Sequence, residues 1–191
     1  MISVIVPLSE SRREFFEQYC RPSIHADSFE LIVIDQPGHA CRKRNLGASQ
    51  ARGEFLFFLD DDTILALDCL TKLLAAITDH AVAYCDFDGI VWPGVDRKPF
   101  RHRAPRWTLE RFRKGPGIST MSLIRADAFP GWDESLARYQ DWDLFWTIAE
   151  TGATGVRVPE ILFTACYLDQ GISAKGKAEE LRQIVREKHR L

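Results

Sequence analysis

Short apolar runs alternate with amphipathic segments through the first half of the chain. The runs have the length of buried strands and are bounded by polar or turn-forming residues. They predict four strands, at residues 2–6, 31–34, 55–59 and 81–87. The segments between them predict three helices, at residues 10–19, 42–51 and 67–77. This alternation favours a mostly parallel sheet with right-handed crossovers and flanking helices.

The second half of the chain is less regular. Residues 92–117 contain four prolines and eight Lys or Arg residues, which indicates a long basic loop with a short helix at residues 109–113. The pattern then predicts a strand at residues 118–124 and helices at residues 141–151 and 177–188. The last helix is amphipathic, with an apolar side formed by Leu181, Ile184 and Val185.

Acidic residues follow the predicted strands. The third strand ends in Asp60, Asp61 and Asp62, and the second ends in Asp35. Two further acids are expected at the end of the fourth strand, Asp86 and Asp88. Because the carboxyl ends of parallel strands share one edge, where ligands bind in open α/β sheets, we expect Asp35 and the three-acid cluster to lie together. Carboxylate oxygens are the ligands of hard divalent cations. A solvated acidic turn is the alternative.

Composition narrows the class of protein. The chain has 191 residues and a formal net charge of −2, which predicts one domain and gives no general reason to expect nucleic-acid binding. Its five cysteines are scattered without a C-x-x-C pair, which fits a reducing cytosol. We expect no signal peptide and no transmembrane helix, and therefore a cytoplasmic protein.

Four motifs occur in a fixed order. They are V-I-V-P at 4–7, I-V-I-D at 32–35, R-N-L-G at 44–47 continuing through A-R-G-E to D-D-D at 60–62, and G-W-D-E at 131–134 followed by Q-D-W-D-L at 140–144. In this order the chain resembles glycosyltransferase family 2, which is built on the GT-A fold. The resemblance implies a single GT-A domain at residues 1–174, with a nucleotide-sugar-binding half at 1–90 and an acceptor-binding half at 91–174. Residues 175–191 then form a separate amphipathic helix.

The resemblance implies a metal-dependent, inverting transfer of a sugar from a nucleoside diphosphate, with a UDP-sugar as the expected donor, to an acceptor hydroxyl. A Mn²⁺ or Mg²⁺ ion is expected at Asp62, shared with Asp60 as in the family's D-x-D motif. Asp60 is alternatively a ribose contact. Asp169 occupies the place of a histidine common in the family, and as an oxygen donor it would complete the metal site.

The remaining donor contacts follow from the same resemblance. Pro7 and Leu8 would line the base pocket, and Asp35 would contact the nucleoside. Arg44 would reach the diphosphate, because a guanidinium suits phosphate geometry, although a surface charge is the alternative. Asp61, which lies between Asp60 and Asp62, is also expected in the nucleotide-sugar site.

The second half would supply the acceptor site. Asp141 matches the family's general base, which takes the proton of the attacking hydroxyl. The helix N-terminus would lower its pKa and desolvation would raise it, and the sequence does not decide between them. Four neighbours are expected near the acceptor: Trp132, Asp133, Glu134 and Trp142. The acceptor would be a glycan or a lipid-linked molecule, in a pathway of surface glycan assembly.

The chain departs from the family pattern at several positions. Gln140 stands where the family usually has Glu, Thr147 where Arg is common, and the segment from Asp35 to Arg44 is short. A catalytically silent nucleotide- or glycan-binding module is therefore one alternative.

A phosphatase of the haloacid dehalogenase type is another alternative, with Asp60 as nucleophile in D-D-D-T-I. A nucleotidyltransferase is disfavoured, because no glycine-rich loop precedes Gly38. The basic loop at 97–114 is interpreted as a lid, an anionic-acceptor site or a peripheral membrane contact, and Trp107 and Phe112 within it favour a contact surface.

Overall fold

The computed structural model describes residues 1–91, 98–168 and 178–190. Its strands are β1 (Ile2–Val6), β2 (Phe29–Val33), β3 (Phe55–Phe58), β4 (Thr63–Leu65), β5 (Val82–Val91), β6 (Phe100–His102), β7 (Leu123–Arg125) and β8 (Gly155–Tyr167). Residues 10–23 form four short helical turns, Glu10–Arg12, the α-helix α1 (Arg13–Phe15), Phe16–Cys20 and Arg21–Ser23. The later helices are α2 (Ala40–Gln50), α3 (Cys69–Ile77), α4 (Leu109–Lys114), α5 (Gln140–Glu150) and α6 (Ala178–Lys188).

One sheet of eight strands runs through the described part of the chain, in the order β2-β1-β3-β7-β5-β8-β4, with β6 paired to β5. β1 pairs in parallel with β2 and β3, and β5 pairs in parallel with β8. β7 lies antiparallel between β3 and β5. The predicted α/β class, with most strands running in one direction, is confirmed. The insertion of an antiparallel strand was not predicted.

Two apolar clusters cover the two faces of the sheet. Val4 and Val6 belong to one cluster, under the helical segment 10–23 and α3, while Ile5 belongs to the other, under α2 and α5. Successive strand residues point to opposite faces, so a strand covered on both sides reads as a continuous apolar run. This explains why β1 and β3 were recognisable from sequence.

Gly47 sets how closely α2 approaches the sheet. A Cβ at this position would overlap the side chain of Ile5 in β1. The absence of a side chain therefore lets α2 lie directly against β1. This close packing brings Arg44, one turn earlier on the same helix, to the end of β3.

Several predicted boundaries were wrong. The helix expected from residue 67 begins at Cys69, and Leu67 is 72% exposed. The fourth strand does not end near Asp86, because β5 continues to Val91. Asp86 is instead buried and accepts two hydrogen bonds from Arg157, at 2.9 and 2.6 Å. The strand expected at 118–124 is reduced to β7.

The last helix packs on the body of the protein. In α6, Val185 is fully buried in the cluster beneath α5, whereas Ile184 is exposed. The predicted division at residues 174 and 175 stays a prediction. In the described residues, no helix combines the length and apolar character needed to cross a membrane.

Candidate active site

A cavity of about 610 Å³ opens at one edge of the sheet. The carboxyl ends of β1 and β3 contribute Pro7 and the three-acid cluster to its wall, as expected for an open α/β sheet. The end of β8 contributes Tyr167, and the first turn of α5 contributes Asp141. The structure thus brings together acids that lie about eighty positions apart in sequence.

Asp61 and Asp62 share one arginine. Arg12 Nη1 donates to Asp61 Oδ1 at 3.1 Å and to Asp62 Oδ2 at 2.7 Å. Asp61 Oδ2 also accepts the backbone N–H of Ser9 at 2.7 Å. Burial raises the pKa of Asp61. Burial, with the charges of Asp60 and Asp61, raises the pKa of Asp62 to about 7 in spite of Arg12.

Asp60 has a different partner, Arg44 of α2. Arg44 Nη2 donates to Asp60 Oδ1 at 2.6 Å, and Nη1 donates to Gln140 Oε1 at 3.4 Å. The guanidinium lies 4.8 Å from the ring centroid of Trp132 and is almost fully buried. Burial opposes its charged form, but Asp60 outweighs this effect and raises the pKa of Arg44. Gln140, the departure from the family pattern, therefore belongs to the same hydrogen-bonded group.

Asp141 faces the cavity from the first turn of α5. Its Oδ1 accepts the N–H of Trp142 at 2.8 Å. Burial is the dominant effect and raises the pKa of Asp141 to about 6, while the Trp142 N–H and Arg44 act in the opposite direction. Tyr139, two residues earlier, has a left-handed backbone with φ 63°, which is uncommon for a bulky residue. The turn into α5 is therefore conformationally strained beside this carboxylate.

The predicted donor residues are only partly on the cavity wall. Pro7 lines it, but Leu8 is fully buried in the core, so the expectation that Leu8 lines a base pocket was wrong. Asp35 lies outside the cavity lining and accepts a hydrogen bond from Arg13 Nη2 at 2.9 Å. Because this pair is exposed, the nucleoside contact of Asp35 stays a prediction.

The predicted acceptor residues lie elsewhere. Trp132 and Trp142 are 3% and 1% exposed, so neither offers a stacking face, and both predictions were wrong. Trp142 Nε1 donates to the backbone of Phe112 at 2.7 Å. Asp133 accepts from Lys188 at 2.7 Å, and Glu134 accepts from Asn45 at 2.9 Å, and neither acid lines the cavity.

The basic loop also differs from expectation. Trp107 Nε1 donates to the carbonyl of Ala153 at 3.0 Å, and Phe112 is buried against its ring. These aromatic side chains therefore anchor the loop inward and do not form a contact surface. Its outward side carries basic residues, Lys98, Arg101, Arg103, Arg106, Arg113 and Lys114. Arg97 lies outside the described residues.

Several cavity residues were missed by sequence reasoning. Arg12, Lys43, Arg138 and Tyr139 all line the cavity. Lys43 Nζ donates to the carbonyl of Leu8 at 2.6 Å. Lys43 precedes Arg44 on α2 and could have been inferred from that motif. Arg12 carried no comparable signal, because only folding brings the segment 10–23 against the end of β3.

Asp60 and Asp62 are the predicted ligands that the cavity wall does contain, and carboxylate oxygens are suitable ligands for a divalent cation. Both carboxylates line the cavity, and burial, followed by the charges of Asp60 and Asp61, raises the pKa of Asp62. Within the described residues, no group of three or more His, Cys, Asp or Glu side chains is arranged to hold a metal. The third predicted ligand, Asp169, lies outside those residues. Further ligands would then come from substrate phosphates, as is usual for Mg²⁺.

The sheet, its flanking helices and the cavity at the strand ends define a GT-A fold. The chain belongs to glycosyltransferase family 2, since the sequence model described as "Glycosyl transferase family 2" matches residues 9–129.

The similar proteins of known function are distant in sequence from this chain. The chain is 24% identical over 155 residues to the poly(ribitol-phosphate) beta-N-acetylglucosaminyltransferase TarS of Staphylococcus aureus strain Mu50, covering 64% of this chain. The chain spans only 27% of the length of that relative. The same protein from strain MW2 matches equally.

Solved structures of Staphylococcus aureus TarS share the fold. TarS 1-349 in complex with UDP-GlcNAc has a TM-score of 0.71 at 19% identity, covering 98% of this chain and 66% of that chain. The complex with UDP has a TM-score of 0.65 at 19% identity, covering 97% and 70%.

Proposed function

We propose that this protein transfers a sugar from a nucleoside diphosphate to an acceptor hydroxyl with inversion, and that Asp141 is the general base. The main support for this proposal is that Asp141 and the three acids Asp60–Asp62, from opposite halves of the chain, line one cavity. The acceptor oxygen attacks the anomeric carbon as the bond to the diphosphate breaks. The acceptor proton passes to Asp141, and the electron pair leaves with the β-phosphate oxygen.

The environment of Asp141 supports this role. A pKa of about 6 leaves the carboxylate mostly ionised at pH 7 while keeping it more basic than an ordinary aspartate. Its position in the first turn of α5, fixed by the Trp142 N–H, holds the carboxylate toward the cavity. Asp141 thus satisfies both the location and the basicity that the step requires.

The charges of the cavity support a metal-dependent donor site. The described lining holds four Lys or Arg residues, Arg12, Lys43, Arg44 and Arg138, and four acids, Asp60, Asp61, Asp62 and Asp141. A nucleoside diphosphate adds about two negative charges to this balanced set, which favours a divalent cation at Asp60 and Asp62. When bound, Mn²⁺ or Mg²⁺ supplies Lewis-acid stabilisation of the departing diphosphate. Arg12, Lys43 and Arg44 supply fixed positive charge around it.

A UDP-sugar is the proposed donor, because the structural match extends to TarS bound to UDP-GlcNAc and to UDP. Pro7 and Asp35 are proposed as base and nucleoside contacts. The proposed acceptor is a glycan or lipid-linked molecule in surface glycan assembly, and the name of TarS, which acts on a ribitol-phosphate polymer, supports testing anionic acceptors. A cytoplasmic location with peripheral membrane contact through the basic loop is part of this proposal.

The proposal is tested by nucleotide release. The protein is incubated with Mn²⁺ and a panel of UDP-, GDP- and dTDP-sugars, with and without pooled acceptors that include ribitol-phosphate polymers. We expect acceptor-dependent UDP release that is abolished by EDTA and by Asp62→Ala. The Glu110→Gln variant, which alters an exposed acid in the basic loop, is the matched control and should retain activity.

Other outcomes separate the alternatives. Turnover of phosphate monoesters without turnover of any nucleotide sugar would favour the phosphatase. Calorimetric binding of UDP with no turnover under any condition would favour the silent module. Sugar transfer that persists in EDTA would support the glycosyltransferase function but exclude a required metal ion.

A further inference from the structure

The helix α6 holds α5 through a buried histidine at its end. The ring of His189 stacks on Trp146 at 4.3 Å between centroids and 5° between planes. Its Nε2 lies 3.1 Å from Asp143 Oδ1, and its Nδ1 lies 2.9 Å from Glu150 Oε2. The His189 side chain is 2% exposed. A side chain buried this completely between two carboxylates and an aromatic ring has a defined position.

Lys188 binds the other oxygen of the same carboxylate. Lys188 Nζ donates to Asp143 Oδ2 at 2.8 Å and to Asp133 Oδ2 at 2.7 Å. Both oxygens of the buried Asp143 are therefore bound by the last residue of α6 and the residue that follows it. The Lys188 and Ser135 hydrogen bonds lower the pKa of Asp133 to about 2, so this acid stays ionised at neutral pH. Lys188 thus joins the segment before α5 to its first turn.

These contacts surround Asp141 in the chain. Asp133 precedes it by eight positions, and Asp143 follows it by two. Asp143 N donates to the carbonyl of Tyr139, at 3.0 Å, and so closes the turn that contains Asp141. Arg182 of α6 lies 5.8 Å from the ring of Tyr139, the residue with the left-handed backbone. Strained backbone persists only when its surroundings hold it, and Arg182 is the contact from α6 to this residue among those described.

We propose that Lys188 and His189 are positioning residues for the transfer reaction, acting through Asp143 to hold Asp141 in its productive orientation. This inference rests on the proposed function of Asp141. It assigns to α6 a role in the chemistry, although none of its described residues lines the cavity.

The contact is sensitive to pH. The charged groups that face His189 are Asp143 and Glu150 of α5, and Lys188 of its own helix shares Asp143. Burial lowers the pKa of His189, but the two carboxylates outweigh it and raise the pKa above 6.5. Only the imidazolium can donate to both carboxylates. Its stabilisation is therefore complete below about pH 6.5 and is lost as the pH rises through the folded-state pKa.

The test uses the full chain and the variants Lys188→Met, His189→Gln and Lys188→Arg. Gln183→Ala, on the exposed side of α6, is the matched control. Two quantities are measured, namely steady-state kinetics with the donor and hydrogen exchange of the amides at 140–144. We expect kcat per folded molecule to fall about 10- to 100-fold in Lys188→Met and His189→Gln, with the donor KM nearly unchanged. Lys188→Arg should restore most of the rate.

Exchange and the pH profile give the decisive readouts. Exchange at 140–144 should accelerate in Lys188→Met and His189→Gln and stay normal in Gln183→Ala. In the parent chain, kcat should decline at alkaline pH as His189 loses its proton. This decline should disappear in His189→Gln. A lower Tm with unchanged kcat per folded molecule, or unchanged exchange in both variants, would overturn the proposal. If the parent chain transfers no sugar, the proposed function fails, and the exchange measurement still decides whether α6 holds this turn.

Discussion

The carboxylates around the cavity have similar sequence contexts but different partners. Asp61 and Asp62 share Arg12, Asp60 binds Arg44, and Asp141 accepts a backbone N–H. The guanidinium of Arg12 does not keep its two carboxylates at an ordinary pKa, because burial raises the pKa of Asp61 and of Asp62. Asp141 has no such ion pair among the described salt bridges and keeps a raised pKa, which suits proton transfer.

Removal of the Asp141 carboxylate should remove most of the activity. For Asp141→Asn we expect a fall in kcat of about 10²- to 10⁴-fold with little change in the donor KM, because general bases contribute about this much. The exposed acid Asp127, changed to Asn, is the control and should have no effect. Near-normal turnover in Asp141→Asn would show that another group takes the proton.

The acidic limb of the rate profile should report the same group. Because a base acts only when deprotonated, and the pKa of Asp141 is about 6, kcat should fall as the pH drops through 6. The measurement is kcat at saturating donor and metal between pH 4.5 and pH 8, at roughly constant ionic strength. An acidic limb centred near the ordinary aspartate pKa of about 4 would contradict the role of burial.

Arg44 should be essential for stability as well as for the site. Arg44→Met leaves Asp60 without its ion-pair partner, and because the Asp60 side chain is 31% exposed we expect a loss of about 1–3 kcal/mol, less than for a fully buried pair. Urea unfolding measures this loss. Arg52→Met, which removes an exposed arginine paired with Glu30, should cost less than about 1 kcal/mol. Equal losses in the two variants would mean that burial of Arg44 has no energetic consequence.

The location of a site residue was predictable where the chain itself carries a pattern. Asp60 and Asp62 follow a strand end, Arg44 and Asp141 stand in the motifs that carry the family resemblance, and all four line one cavity. Their roles stay predictions. The tryptophans were not predictable in the same way. A stacking tryptophan and a buried one look alike in sequence, and their burial is decided by neighbours distant in the chain.

At the scale of elements, α2 connects the core to the site. It has no strongly apolar face, yet Cys41, Arg44 and Gly47 are buried along it. Gly47 permits contact with Ile5, and Arg44 then reaches Asp60. The helix was predicted nearly to its ends, but its distance from the sheet depends on a contact between residues about forty positions apart.

Gly47→Ala tests the importance of this contact. The added methyl group would overlap Ile5, so we expect a loss of about 1–3 kcal/mol in the free energy of unfolding. Donor affinity should also fall, because Arg44 and Lys43 move with the helix. Gln50→Ala, at the exposed end of α2, is the control and should change stability by less than about 0.5 kcal/mol. A stable Gly47→Ala variant would show that α2 can shift without cost.

Considered as a whole, the molecule has a basic surface on the loop between β6 and α4. Arg103 and Arg106 are exposed there, and the loop is anchored inward by Trp107. An outward-facing basic surface on a fixed loop fits an anionic partner more closely than a mobile lid does.

Vesicle binding tests the proposed membrane contact. Changing Arg103 and Arg106 to Glu should weaken sedimentation with vesicles containing anionic lipid by about 2 kcal/mol, or roughly 30-fold, because each basic residue contributes about 1 kcal/mol. The binding should also decrease with salt. The control variant changes Arg21 and Arg52 to Glu, which gives it the same net charge as the test variant but leaves the loop unaltered. Equal binding by the two variants would exclude the loop as the contact.

The position of β7 has a consequence for synthesis of the chain. In the described sheet β3 and β5 both pair with β7 and not with each other, so residues 1–91 alone leave the edges of β3 and β5 that face β7 unpaired. A nascent chain that has reached residue 91 still needs roughly 2 to 7 s of translation to reach residue 125. Open strand edges favour self-association. The fragment 1–91 should therefore aggregate when expressed alone, and faster elongation through this interval should raise the soluble yield of the whole protein.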